Sequence, residues 1–189
     1  PVAISLFCLM GLPNMDMVLV RYYFRPGESG IYAVAQMVGK IFLFLPAAIS
    51  VVMFPRASGL NAKQNDTTAI LNKSLAYAVI LCILASTVYN LLPSFVLKVL
   101  TGKVLPESIF LGRLFSVSMS FFALLFIIVT YFLSIKDLRF IKYLIIFSGL
   151  QVLAIAFLHR NLIQVQWILC LNAILLFLIH LALAAFKKR

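Results

Sequence analysis

Near the start of the chain the stretch "GLPNMDMVLV", residues 11–20, places a helix breaker, an amide and a carboxylate inside an otherwise apolar run. A second polar series follows at Tyr32, Gln36 and Lys40, spaced i, i+4 and i+8, so a helix there carries all three along one side. The chemistry on offer is simple. Asp16 can take a proton or a cation, and the Lys40 ammonium can hold an anion, with Gln36 and Tyr32 as neutral hydrogen-bonding neighbours. Two prolines give these groups an unusual backbone. Pro13 removes a donor and frees the carbonyl of Leu9 one turn back, and Pro46 does the same to Phe42. Asn14 is two residues from Asp16, so in a regular helix the two side chains point to different sides. Only one of them serves a common cavity unless Pro13 distorts the helix.

The elements that must position these residues follow from composition. Of 189 residues 64% are hydrophobic and 11% are charged, against about half and about a quarter in soluble domains. A spanning helix needs roughly 20 mainly apolar residues, and that rule gives six candidate spans, at about 2–23, 31–54, 72–98, 109–135, 141–158 and 163–186. Pro93 kinks or breaks the third, and the stretch from Arg56 to Thr68 reads as loop or the start of an interfacial helix. The runs are continuous rather than alternating, so helices are expected and not barrel strands. The expected fold class is all-α, a polytopic transmembrane helix bundle, with connections too short to hold a soluble domain. The chain begins at Pro1 directly in an apolar run, with no basic region and cleavage site of a signal peptide. A fragment lacking its N-terminal part is the simplest expectation.

Lys40 lies about nine residues into its span, roughly 14 Å at 1.5 Å per residue, which is close to the half-thickness of about 15 Å. A charge at that depth costs about 2.5–3.5 kcal/mol and marks a functional position by default. Two readings stand side by side: a wet, cationic stripe lining a cavity, or a Lys40–Asp16 pair closing two helices. Asp16, beside the Pro13 break, either couples transport to a proton or sodium ion or pairs with Lys40 or Arg21. Weaker polar stripes at Arg113, Ser116 and Ser120, and at Ser86 and Asn90, read as interhelical glue worth about 0.6–2 kcal/mol.

Several classes are disfavoured. Cys8, Cys82 and Cys170 stand singly in apolar helices, and His159 and His180 lack a partner at ligand spacing, so no metal site is expected. The five acids are far apart in sequence and no Gly-rich phosphate loop occurs, so catalysis is not expected. The net charge of +11 is partly topogenic, and no nucleic-acid partner is needed. Arg56, Lys63, Lys73, Lys136, Arg139, Lys142 and the terminal Lys187, Lys188 and Arg189 collect at one end. Arg21, Arg25, Lys98, Lys103, Arg113 and Arg160 collect at the other. This asymmetry favours a cytoplasmic C-terminus.

The 50-residue run from Gly11 to Leu60 carries Asn14 and Asp16 before a Tyr-rich helix end, Gly30-Ile31-Tyr32 opening the next helix, Lys40, Pro46, and Phe54-Pro55-Arg56 with Ser58. In these features it resembles the polysaccharide-export branch of the multidrug/oligosaccharidyl-lipid/polysaccharide superfamily. The rest of the chain agrees in hydropathy and span count alone. The resemblance implies two six-helix bundles related by a pseudo-two-fold axis, this chain being the C-terminal bundle (1–189) and the N-terminal bundle being absent. It implies a flippase in the plasma (inner) membrane for polyprenyl-diphosphate-linked oligosaccharide, feeding surface polysaccharide biosynthesis. Lys40 would hold the diphosphate with Gln36 and Tyr32, and the coupling ion would be the only cofactor. The lipid bilayer, the N-terminal bundle and polysaccharide polymerase machinery are the implied partners. Rival readings are a drug/cation antiporter of the same superfamily, a membrane glycosyltransferase or ligase acting on the same lipid carrier, and a non-transporting scaffold.

Overall fold

In hydrocarbon every backbone N–H and C=O must find its partner inside the protein, and long apolar runs meet that demand as helices. Every regular element among the described residues is a helix. The structure is a computed structural model describing residues 2–102 and 105–186. Pro1, Lys103, Lys187, Lys188 and Arg189, which enter the boundary and charge expectations, lie outside the described residues.

Helices α1 (Val2–Gly11) and α2 (Met15–Tyr23) form one path bent by 47°. They are followed by α3 (Pro26–Ala62), α4 (Thr68–Leu91), α5 (Pro93–Thr101), α6 (Pro106–Ser134), α7 (Ile141–Phe157) and α8 (Leu162–Phe186). Helix α6 is the axis of the bundle, packed against α3 most extensively and then against α8 and α4. The α3–α6 seam is close because Gly39 has no side chain. A Cβ there would lie 2.9 Å from Met119 Cγ and 3.1 Å from Phe115 Cβ. Gly112 of α6 likewise leaves its space to the Tyr89 hydroxyl of α4. Small residues let backbones approach where lipid supplies no hydrophobic drive between helices.

The outer surface confirms the environment. Phe7, Val51, Leu91 and Phe157 are 72%, 75%, 73% and 80% exposed, a surface that would aggregate in water. This is a membrane-embedded helical protein. Four helices (α3, α4, α6 and α8) are long and apolar enough to cross a membrane, or five if the bent α1–α2 pair is one span. Of the six spans expected, five meet the length and hydropathy that a crossing requires. The remaining candidate, 141–158, is α7, whose 17 residues fall short of the other spans.

Three boundaries also differ from the sequence expectation. The span expected at 72–98 is two helices, because α4 stops at Leu91 and Pro93 opens α5 at its first turn, where a missing N–H costs nothing. The span expected at 31–54 is part of a 37-residue helix. Pro46 and Pro55 lie inside it, so Pro46 is not a helix break. Pro46 is buried in the packed helix, and the surrounding contacts carry the helix past one lost bond. Residues 56–62, expected as loop or the start of an interfacial helix, continue α3 as well.

The α3–α4 and α6–α7 connections meet at one end of the bundle, where the Thr67 and Tyr131 hydroxyls lie 2.8 Å apart. Leu181 and Ala184 of α8 face Thr68 and Leu71 there. At the other end Tyr23, closing α2, stacks on His159 after α7 at 3.9 Å between ring centres.

Candidate functional site

Pro13 has no N–H, and the chain around it leaves the helix for three residues between Gly11 and Met15. Such a break exposes carbonyls that lipid cannot satisfy. Side-chain amides take them up. Asn14 Nδ2 donates to the Met10 carbonyl at 2.8 Å, Gln151 Nε2 of α7 to Leu12 at 2.7 Å, and Gln36 Nε2 of α3 to Pro13 at 3.3 Å. Gln151 in turn accepts from Asn172 Nδ2 of α8 at 2.7 Å. The break is thus held by amides from α3 and α7 and from its own residue 14, with α8 holding the α7 amide.

Asp16 sits in the first turn of α2, where the helix dipole favours an anion, and it is fully buried. Its partners are neutral. The Tyr32 hydroxyl donates to Oδ2 at 2.8 Å and Gln36 Nε2 donates to Oδ1 at 3.1 Å. Neither Lys40 nor Arg21 pairs with it among the described residues, so the ion-pair reading of Asp16 does not hold here. The network continues to α8 and α6. The Tyr32 hydroxyl is 3.2 Å from Gln166 Oε1, Gln166 Nε2 donates to Ser118 Oγ at 2.6 Å, and Ser118 donates to the Leu114 carbonyl at 2.9 Å.

Hydrogen counting gives this network a property. A phenol has one hydrogen, yet Tyr32 faces two acceptors, Asp16 Oδ2 and Gln166 Oε1. With Asp16 ionised, it serves one well at a time. A proton on Asp16 Oδ2 would let the acid donate to the phenol oxygen and the phenol donate to Gln166. The state of Asp16 is therefore linked to a bond between α3 and α8.

The residues singled out in sequence divide into two groups. Tyr32 and Gln36 join Asp16 in the interior, buried and hydrogen-bonded. They do not form a wet stripe with Lys40. Lys40 is half-buried, makes no hydrogen bond or ion pair among the described residues, and lies between Met37 and Phe44, which are 50% and 62% exposed on the outer face of α3. Asn14 is exposed and bonds back to Met10 in the last turn of α1, apart from Asp16. Gln151, Gln166 and Asn172 were not anticipated. The signal available for them was an amide inside an otherwise apolar span.

No family model, curated protein or solved structure matches this chain. What the fold and site define is a class: a helical membrane protein with a broken helix and a buried, uncompensated carboxylate behind it.

Proposed function

We propose that this chain is one helical bundle of an ion-coupled transporter that flips a polyprenyl-diphosphate-linked oligosaccharide across the plasma membrane. The observation that carries the reading is Asp16, buried at a helix break among neutral donors and wired through Tyr32 and Gln166 to α8. Broken helices with an acid near the midplane are a recurrent way for secondary transporters to bind a coupling ion. Asp16 takes the proton or sodium ion, and the change in its charge alters which bond Tyr32 makes to α8. Lys40 supports the substrate class. It is an unpaired cation near the middle of the exposed face of α3, a position that demands an anion or water. A diphosphate between this bundle and a second one satisfies it. The excess of Lys and Arg at the end that holds the α3–α4 and α6–α7 connections favours a cytoplasmic position for that end and for the C-terminus.

The test is polysaccharide export and lipid-linked sugar flipping by the intact polypeptide. Lys40→Ala abolishes both while membrane insertion is kept, and Asp16→Asn uncouples flipping from the imposed proton or sodium gradient. Export at wild-type level by Lys40→Ala overturns the substrate assignment. Loss of drug resistance with export unchanged would favour the cation antiporter.

A further inference from the structure

Helix α5 is the most strongly amphipathic helix among the described residues, and it takes no part in the Asp16 network. Its position follows from α4. The 24 residues of α4 extend about 36 Å, which by itself exceeds the roughly 30 Å of hydrocarbon. The chain therefore reaches a membrane boundary near Leu91. There it leaves the path of α4, because Leu92 at φ −131°, ψ 53° is not helical and Pro93 opens α5. A continued helix would carry Val96 about 12 Å beyond Val88. Val96 instead lines the same apolar groove as Val88 of α4 and Val38 of α3. Helix α5 thus turns across the end of these helices rather than outward. With 9 residues it is about 14 Å long, and Gly102 at φ 71° closes it.

At about 100° per residue, α5 divides into three flanks. Leu97, fully buried, faces the bundle. Ser94, Lys98 and Thr101, at i, i+4 and i+7, share a polar flank on which Ser94 and Lys98 are exposed. Phe95 and Val99, 64% and 68% exposed, share the third. Val96 joins that third flank to the α3–α4 groove, an apolar space of about 320 Å³, and exposed Leu91 and Leu92 extend it. Neither bulk phase suits all three flanks. In water, Phe95, Val99 and the groove would form an exposed apolar patch. In hydrocarbon, the Lys98 ammonium would carry the cost of a membrane-buried charge, since it has no hydrogen bond or ion pair among the described residues. A helix lying in the interface satisfies both, with its apolar side at the acyl boundary and its cation among headgroups.

We propose that α5 is an in-plane membrane anchor that binds an anionic phospholipid, with Phe95 and Val99 in the acyl region and Lys98 on the lipid phosphate. The acyl chains of that leaflet, passing under Val96, cover the α3–α4 groove. Three-way partition of so short a helix is what a junction of protein, water and lipid requires. The assignment is independent of the flipping reading.

Phe95→Trp, in a chain whose one native tryptophan is removed by Trp167→Phe, tests this in proteoliposomes of brominated phospholipids. Bromine placed near the headgroup should quench the new tryptophan more strongly than bromine near the chain end, and aqueous iodide should quench it little. Brominated phosphatidylglycerol should be preferred over brominated phosphatidylcholine about fivefold, as expected for one lysine at a membrane surface. Lys98→Gln should abolish that preference, while Lys98→Arg and Lys73→Gln at the opposite end of α4 keep it. Stronger quenching from the chain end overturns the in-plane position. Quenching by iodide alone overturns it in favour of a helix in water, and quenching by neither places a protein partner over the flank. A preference that is absent, or that Lys98→Gln leaves unchanged, overturns the headgroup assignment.

Discussion

At Asp16 the strongest effects come from what the carboxylate leaves behind when it is removed. Asp16→Leu takes one acceptor from the Tyr32 hydroxyl, which keeps Gln166 Oε1, and one from the Gln36 amide, which keeps the Pro13 carbonyl, so about 1–3 kcal/mol is lost in all. Asp16→Asn keeps the shape and most of the bonds, so its loss should be under half as large, read by thermal unfolding in lipid nanodiscs. A larger loss for Asn than for Leu would mean that the network is not built as described. Gln151→Leu removes the partner of the Leu12 carbonyl and of Asn172 together, and should cost about 1–2 kcal/mol in the same measurement. Asn90→Leu, whose bond stays within α4, should cost almost nothing. Spacing along the chain was enough to single out Asp16, Tyr32 and Gln36, because two of them lie one turn apart and the third sits beside a proline. It was not enough for Gln151, Gln166 and Asn172. Each is an amide inside an apolar helix, and its role exists only through partners more than a hundred residues away in two pairs and twenty-one in a third.

Helix limits follow from local chemistry only where the local cost is not outweighed by packing. Pro13 and Pro46 present the same covalent defect, yet the helix stops at the first and passes through the second. At Pro13 neighbouring amides donate to the exposed carbonyls, whereas Pro46 lies buried within the longest helix of the bundle. Nothing in the two local sequences distinguishes these outcomes. The ends of α3 and α6 were hidden for another reason. Both close on a non-glycine residue in the left-handed region, Gln64 at φ 58° and Lys136 at φ 59°, with Asn65 and Asp137 N–H groups donating back to the Leu60 and Phe132 carbonyls at 3.0 Å. A glycine would have marked each stop. Lys136→Gly should therefore raise stability by up to about 1 kcal/mol, the steric cost of that conformation for an L-residue; no gain would show that side-chain contacts compensate for it. The α3–α6 seam gives the opposite prediction. Gly39→Leu must displace Met119 and Phe115, so about 1–3 kcal/mol is lost and unfolding midpoints fall accordingly.

The number of times the whole chain crosses the membrane turns on α7. Its 17 residues extend about 26 Å, short of the roughly 30 Å of hydrocarbon. Its two ends nevertheless join opposite ends of the bundle. Before α7, Phe140 stacks on Phe132 at 5.5 Å, beside the α3–α4 connection; after it, His159 stacks on Tyr23 where α2 ends. A deficit of a few ångströms is small, since mismatch costs fractions of a kcal/mol per Å and is relieved by local thinning. Charged residues on both flanks, Arg139 and Lys142 on one and Arg160 on the other, can reach headgroups drawn inwards. We therefore expect α7 to cross, which makes six passages with the bent α1–α2 path counted as one. Single cysteines at Leu138 and Leu158, which are 43% and 48% exposed, decide it with an impermeant thiol reagent. Leu158→Cys should label in intact cells together with Glu28→Cys. Leu138→Cys should label only after permeabilisation, together with Asn65→Cys. If Leu138 and Leu158 label from the same side, α7 is re-entrant, α8 runs the other way across the membrane, and the cytoplasmic C-terminus is lost with it.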